Sequence, residues 1–232
     1  MKIALIHGHM RRGSTYNISH VLLDKISGEK LVTEIFVPDV IKSGCLGCYK
    51  CIDHEENCPF YAEKMKVMNV ILDSDLLIFT TPTYCMAPSA QLKMFIDLTF
   101  TYWMSHRPRE VMFNKRAVVI STCAGTGANK AIEPVARTLF YWGVPKVYKY
   151  GRSVQAMSYD GIPAKIKDSI DKDMSALAKK LNTTKKPNVG IKTKSMFSIM
   201  RMMQDKNMGS GELEKEYWFN KGWLGKDRPW KK

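Results

Sequence analysis

Four of the chain's six cysteines lie in "CLGCYKCIDHEENCP", residues 45–59, with the spacing C-x2-C-x2-C-x6-C and a proline directly after the last. Three thiols at successive x2 intervals wrap three corners of a 4Fe-4S cube, and a fourth in the same loop can close the site. Cys45, Cys48, Cys51 and Cys58 are thus candidate ligands of a 4Fe-4S cluster. Zinc ribbons and knuckles use two separated C-x2-C pairs, a pattern this run lacks. Disulfides are disfavoured in a reducing compartment, and a thiol loop without metal is the plain alternative.

Three further stretches carry chemistry. "GHMRRGSTYN", from Gly8, is rich in small, hydroxyl and cationic residues and runs into a helix start. Backbone N–H groups, the helix dipole, Arg11 and the hydroxyls of Ser14 and Thr15 describe a monophosphate site, with a glycine turn bearing surface arginines as the alternative. Gly8, Gly13, Ser14 and Thr15 imitate a P-loop, but the lysine that reaches terminal phosphates is absent, as is the G-x-G-x-x-G dinucleotide fingerprint. "PTYCMAPSAQ" offers Pro82, Tyr84 and Met86 as a polarizable wall for a flat ring, or else a core loop. "TCAGTGANK" places Gly125 and Gly127 where backbone can approach a ligand or simply turn. Cys85 and Cys123 fall in these two loops, as redox partners or as small buried apolar groups.

The elements that must hold these loops alternate. "KIALIHG", "LVTEIFV", "LLIFTTP", "AVVISTC" and "KVYKYGRSV" read as strands. Between and after them, apolar residues recur at helical spacing: Ile18, Val21, Leu22, Ile26; Met65, Met68, Ile71, Leu72; Ala90, Met94, Phe95, Leu98; Ile132, Val135, Ala136, Leu139; and Ile166, Ile170, Leu177, Leu181. Strands separated by helices predict a parallel sheet with helices on both faces. The first, third and fourth strands are apolar throughout and belong in the middle, whereas the second and fifth alternate and suit the edges. The order 2-1-3-4-5 follows, a flavodoxin-like α/β fold in which the three loops share the carboxyl edge of the sheet. The cysteine loop leaves the second strand at that same edge.

Residues 1–184 form this expected domain, and residues 185–232 form a basic extension with two helices. One carries Met196, Met200 and Met203, and the other runs from Ser210 as N-cap to Lys221. Both are expected to pack on the main domain or on a second subunit, with a lid or partner-docking arm as the sharper reading. The net charge of +14 is diffuse: the last 51 residues hold 12 Lys and Arg against 5 Asp and Glu, half of the excess. Without a nucleic-acid-binding motif, such a surface suits an anionic cofactor or acidic partner better than DNA. No export signal or membrane span is visible, since the uncharged stretch Leu76–Leu92 is broken by Pro82 and Pro88, so a cytoplasmic location is expected. No acid–base pair or triad stands out, and His20, His54 and His106 have no evident partners in the sequence.

Taken together, "IHGHMRRGSTYNI", the cysteine loop, "TPTYCMAPSAQLKMFID" and the Gly125 loop resemble the NADPH-dependent FMN reductase superfamily, and more closely its iron-sulfur flavoprotein branch, over about residues 1–180. The resemblance implies that FMN phosphate is held by His9, Arg11, Gly13, Ser14 and Thr15. It also implies that the isoalloxazine lies against Pro82, Thr83, Tyr84, Cys85 and Met86 and against Thr122, Cys123, Ala124 and Gly125. Homodimers or homotetramers that complete the flavin site across an interface are implied as well. Two positions depart from the family pattern: His9 stands where serine is usual, and Leu98 where an arginine commonly follows the aspartate. The expected activity is an FMN oxidoreductase relaying electrons between a 4Fe-4S cluster and FMN, fed by NAD(P)H or ferredoxin. The alternatives are a cluster-free NAD(P)H-dependent FMN, quinone or nitro-compound reductase and a non-enzymatic redox sensor or binding module.

Overall fold

The computed structural model describes residues 1–183, 185–208 and 211–231. The apolar run at the start forms β1 (Lys2–His7), and the uncapped "STYNISHVLLDK" forms α1 (Ser14–Lys25). The edge strand β2 (Leu31–Phe36) leads into a single helical turn, α2 (Val37–Val40), and the cysteine loop carries another, α3 (Lys50–Asp53). Then come α4 (Tyr61–Asp73), β3 (Leu76–Pro82), α5 (Ala90–Asp97), β4 (Arg116–Cys123), α6 (Ala128–Tyr141), β5 (Lys146–Ser153) and α7 (Ala164–Leu181). The strands pair in parallel in the order β2-β1-β3-β4-β5, as the polarity of the strands predicts.

Alternation along the central strands divides the core in two. Ile3, Leu5, Ile78, Val118 and Ile120 face α1 and α7, while Ala4, Ile6, Leu77, Phe79 and Val119 face α2, α4, α5 and α6. Burial of each such aliphatic side chain stabilises the fold by about 1.5–3 kcal/mol, so the central strands cannot shift register without turning one set outward. The five loops that leave the strands at the carboxyl edge are thereby fixed on one rim.

After α7 the chain forms α8 (Ile191–Asp205) and α9 (Glu212–Asn220), which pack on the segment between α5 and β4. Phe197, Trp218 and Trp223 bury themselves against Met104 and Phe113, with Met196 and Met200 half-buried beside them. Three carbonyls of that segment accept side-chain bonds from the extension: Ser105 from Gln204 Nε2 (2.8 Å), His106 from Trp218 Nε1 (2.6 Å) and Pro108 from Tyr217 Oη (2.6 Å). Ser210, the expected N-cap, lies outside the described residues, and Gly211 occupies the N-cap position of α9.

Candidate functional site

At the end of β1 the chain passes so close to α5 that a Cβ on Gly8 would lie 2.7 Å from Leu92 Cβ and 2.8 Å from Ser89 Oγ. Ser89 explains the closeness. Its hydroxyl caps α5 by accepting from Leu92 N–H and donates to the Gly8 carbonyl, and its own N–H donates to Thr81 Oγ1 at 2.9 Å. The loop then turns into α1, whose N-cap Gly13 supplies no side-chain bond. The first-turn N–H groups of this 12-residue helix thus have no side-chain cap, an arrangement that suits an anion.

The loop from His9 to Thr15 lines a cleft of about 270 Å³ together with the loops after β3, β4 and β5. Of the residues expected at a cofactor, His9, Arg11, Gly13, Ser14, Thr15, Pro82, Thr83, Tyr84, Thr122, Cys123 and Ala124 line it. The hydroxyls of Thr15 and Thr122 are bonded at 2.5 Å and tie the α1 start to the end of β4. Cys85 and Met86 stand back from the cleft, at the tip of a tight turn closed by paired Tyr84 and Ala87 bonds of 3.0 and 2.9 Å. Both tip residues hold positive φ, +48° and +60°, the mirror turn that glycine or asparagine normally supplies. Such strain is retained where surrounding structure fixes it, and here Met86 is wedged against Gly127, itself at φ +103°. Gly125 faces open space, and Cys123 gives its thiol hydrogen to the Arg152 carbonyl. The uncapped helix start, the cation and the hydroxyls fit a phosphate monoester, and the exposed faces of Tyr84 and Met157 give the cleft an apolar rim.

Val154, Ala156 and Met157 complete the cleft, and Arg11 is aimed by a 2.5 Å bond to the Met157 carbonyl. The sequence reading missed them because "VQAM" has no motif, although the adjacency of β5 and β4 places its loop at the same rim.

Beneath the cleft lies a row of polar groups. His9 Nε2 is 3.2 Å from Thr80 Oγ1, which is 2.7 Å from His7 Nδ1, and His7 Nε2 is 2.6 Å from Glu34 Oε1. His20 gains a partner here, its Nε2 lying 3.7 Å from Glu34. Burial, reinforced by His9, His20 and Arg12, pushes the His7 pKa down from 6.5 to about 3, and burial also lowers that of His9. The unfolded chain therefore binds a proton on His7 near pH 6.5 that the folded chain refuses until about 3. Stability is expected to fall as pH drops through that window, because the unfolded state then holds more protons. Thermal melts from pH 7 to 3 should show a shallower decline for His7→Gln, and an equal decline would assign the sensitivity to other groups.

The four clustered cysteines are not brought together as ligands. Cys45 and Cys48 are exposed, Cys51 is buried and Cys58 is half-buried, and among the described residues no three His, Cys, Asp or Glu side chains are arranged to hold a metal ion. Burial, with smaller contributions from Cys58 and Cys45, pushes the Cys51 thiol pKa up, which favours the protonated form. The loop is instead held by backbone contacts: Arg107 donates to the carbonyls of Cys51 (2.7 Å) and Ile52 (2.6 Å). Below it, Glu55 accepts from Arg109 at 2.7 Å, and Lys64, fully buried, has its ammonium 3.8 Å from Glu55. His106 joins this group through Glu214 at 3.6 Å, and Glu214 also lies 3.8 Å from Arg107.

A larger cavity of about 880 Å³ opens at the opposite edge, lined by Met1, Ser27, Asp75, Arg116 and Asn182 among others. Ligands of doubly wound sheets bind at the carboxyl ends of the strands, and the converging loops are at the smaller cleft.

Comparison with known proteins agrees with this fold. The sequence profile of a family described as NADPH-dependent FMN reductase matches residues 1–154. An iron-sulfur flavoprotein of Methanocaldococcus jannaschii is 28% identical over 142 residues, covering 58% of this chain and 69% of that protein. An FMN-dependent NADH:quinone oxidoreductase of Pelagibacter ubique is 26% identical over 180 residues, covering 69% and 93% respectively. Among solved structures, an FMN-dependent NADH-azoreductase of Bacillus anthracis in complex with FMN superposes with a TM-score of 0.58 at 12% identity, over 79% of this chain and all of that one, a likeness of fold. No helix among the described residues is long and apolar enough to cross a membrane.

Proposed function

Because the chain belongs to the NADPH-dependent FMN reductase family, we propose that it binds FMN in the 270 Å³ cleft and passes electrons from a nicotinamide donor to a small acceptor such as a quinone. The observation that carries this reading is the convergence of four strand-end loops around an uncapped helix start that also presents His9, Arg11, Ser14 and Thr15. FMN, when bound, supplies the hydride and electron chemistry. The chain's own residues position it. The α1 N–H groups, Arg11 and the Ser14 and Thr15 hydroxyls hold the phosphate, and Tyr84 with Met157 excludes water from the ring, alone or with a second copy of the chain completing a homodimer or homotetramer.

Purified protein is expected to hold about one FMN per chain, and to bleach on anaerobic addition of NADH or NADPH. Removing one charge-assisted contact costs about 1.5–3 kcal/mol, so Arg11→Ala should weaken FMN roughly 10- to 150-fold by fluorescence titration. Tight FMN binding that survives Arg11→Ala and Ser14→Ala together would sink the phosphate assignment.

A second reading adds a 4Fe-4S cluster at Cys45, Cys48, Cys51 and Cys58, with ferredoxin as an outside carrier. Its support is the cysteine spacing and the name of the Methanocaldococcus jannaschii relative. The thiols as they stand do not fit it, and the loop would have to close around the cluster. Iron and acid-labile sulfide analysis after purification without oxygen decides: about four of each per chain, lost in Cys48→Ser, supports the cluster, and FMN alone supports the plain reductase.

A further inference from the structure

The polar row beneath the cleft has a direction. The Glu34 carboxylate, 30% exposed on the edge strand, only accepts, so His7 Nε2 donates to it. With its other nitrogen free of hydrogen, His7 Nδ1 accepts from the Thr80 hydroxyl, whose oxygen accepts from His9 Nε2. Parallel pairing makes the row: His7 on β1 is opposite Thr80 on β3, and Glu34 reaches it from β2. Tyr16 and His20 of α1 close over His7 at ring separations of 5.1 and 6.3 Å, and Arg12 lies over Tyr16. Glu34 is the anion in contact with the row. His9, at its other end, is 6% exposed and lines the cleft beside Arg11, whose backbone bonds to the ring in the sense that favours protonation.

We propose that the loop takes up one proton together with its phosphate. His9 is neutral in the free protein and becomes imidazolium when a dianionic phosphate monoester enters, and Glu34, acting through Thr80 and His7, is the counter-charge that stabilises it. The inference rests on the reading of this loop as the FMN phosphate site. Its balance is simple: one proton leaves the buffer and joins the free ring nitrogen of His9, the phosphate stays dianionic, and no electron moves. Hydrogen bonds in series polarise one another at low dielectric, which lets a carboxylate two bonds removed favour charge on His9. Thr80, His7 and Glu34 are therefore positioning residues for an anion none of them touches.

The test is calorimetric titration of the full chain, freed of flavin, with FMN at pH 8 in buffers of different ionisation enthalpy. Near pH 8 the phosphate, with its second pKa of about 6, is already dianionic, so any uptake belongs to the protein. About one proton per FMN is expected, and none for riboflavin, which lacks the phosphate. Thr80→Val keeps the shape and strand preference of the side chain, and Glu34→Gln alters only a partly exposed edge position, so the second carries the test if the first fails to fold. In each, uptake at pH 8 should fall toward zero and FMN affinity at pH 7 should drop about a hundredfold, the equivalent of two pKa units, with riboflavin affinity unmoved. FMN binding without proton uptake, uptake that riboflavin matches, or uptake unchanged in both variants would overturn the proposal alone. Failure of the native chain to bind FMN at all would overturn the flavin reading and this inference with it.

Discussion

Trp218→Ala is expected to cost about 3–5 kcal/mol of folding stability, the largest single effect outside the sheet. The indole is fully buried among Phe197 and Trp223, with ring centroids 4.8 and 5.4 Å away, and its N–H bonds to the His106 carbonyl. Truncation leaves a cavity that two aromatic neighbours cannot fill, and an acceptor without its partner. The damage should spread along one route. Glu214 lies one turn earlier on α9, beside His106 and Arg107, and Arg107 holds the Cys51 and Ile52 carbonyls. Denaturant unfolding measures the stability loss, and the rate at which Cys51 reacts with an alkylating agent in native buffer measures the spread. A stability loss below about 1 kcal/mol would mean that the extension contributes little to the fold. An unchanged Cys51 rate would mean that the loop is held independently of it.

Gly8→Ala is expected to abolish most FMN binding while leaving a folded protein. The added methyl meets Leu92 Cβ at 2.7 Å, an atom fixed to the α5 backbone that cannot swing away. Overpacking of this kind costs about 1–3 kcal/mol, and the α1 loop and the α5 start must separate to relieve it. Because the phosphate contacts leave from the very next residues, affinity should fall at least tenfold, and about a hundredfold if the loop shifts by an ångström. Gly125→Ala is the control, since nothing lies within 4 Å of its added Cβ and its melting temperature should be unchanged. Equal losses of stability in both would show that the crowding at Gly8 is absorbed elsewhere.

The fold was legible in the sequence because burial on two faces leaves its mark on strand composition. "KIALIHG", "LLIFTTP" and "AVVISTC" have no polar alternation, and they are the strands with neighbours on both sides. The cleft was legible to the extent that loops at strand ends share one rim in this topology. What spacing cannot carry is the pairing of distant polar groups. Ser89 matters through Gly8, Thr80 through His7 and His9, and His106 through a glutamate more than a hundred residues later. The cysteine run shows the same limit. Its spacing speaks for ligands, but the conformation of the loop is set by Arg107 and by a buried group of Glu55, Arg109 and Lys64 that no local pattern reveals.

The packing of α8 and α9 on the segment before β4 also sets a schedule for synthesis. Met104 and Phe113 are made about 110 residues before Trp223 covers them. At ordinary elongation rates that interval is on the order of ten seconds. During it a nascent chain with its central strands already made displays an apolar patch that only the last helices can close. Chaperone capture of stalled chains should therefore centre on residues 100–115, and should vanish once the chain extends past Trp223.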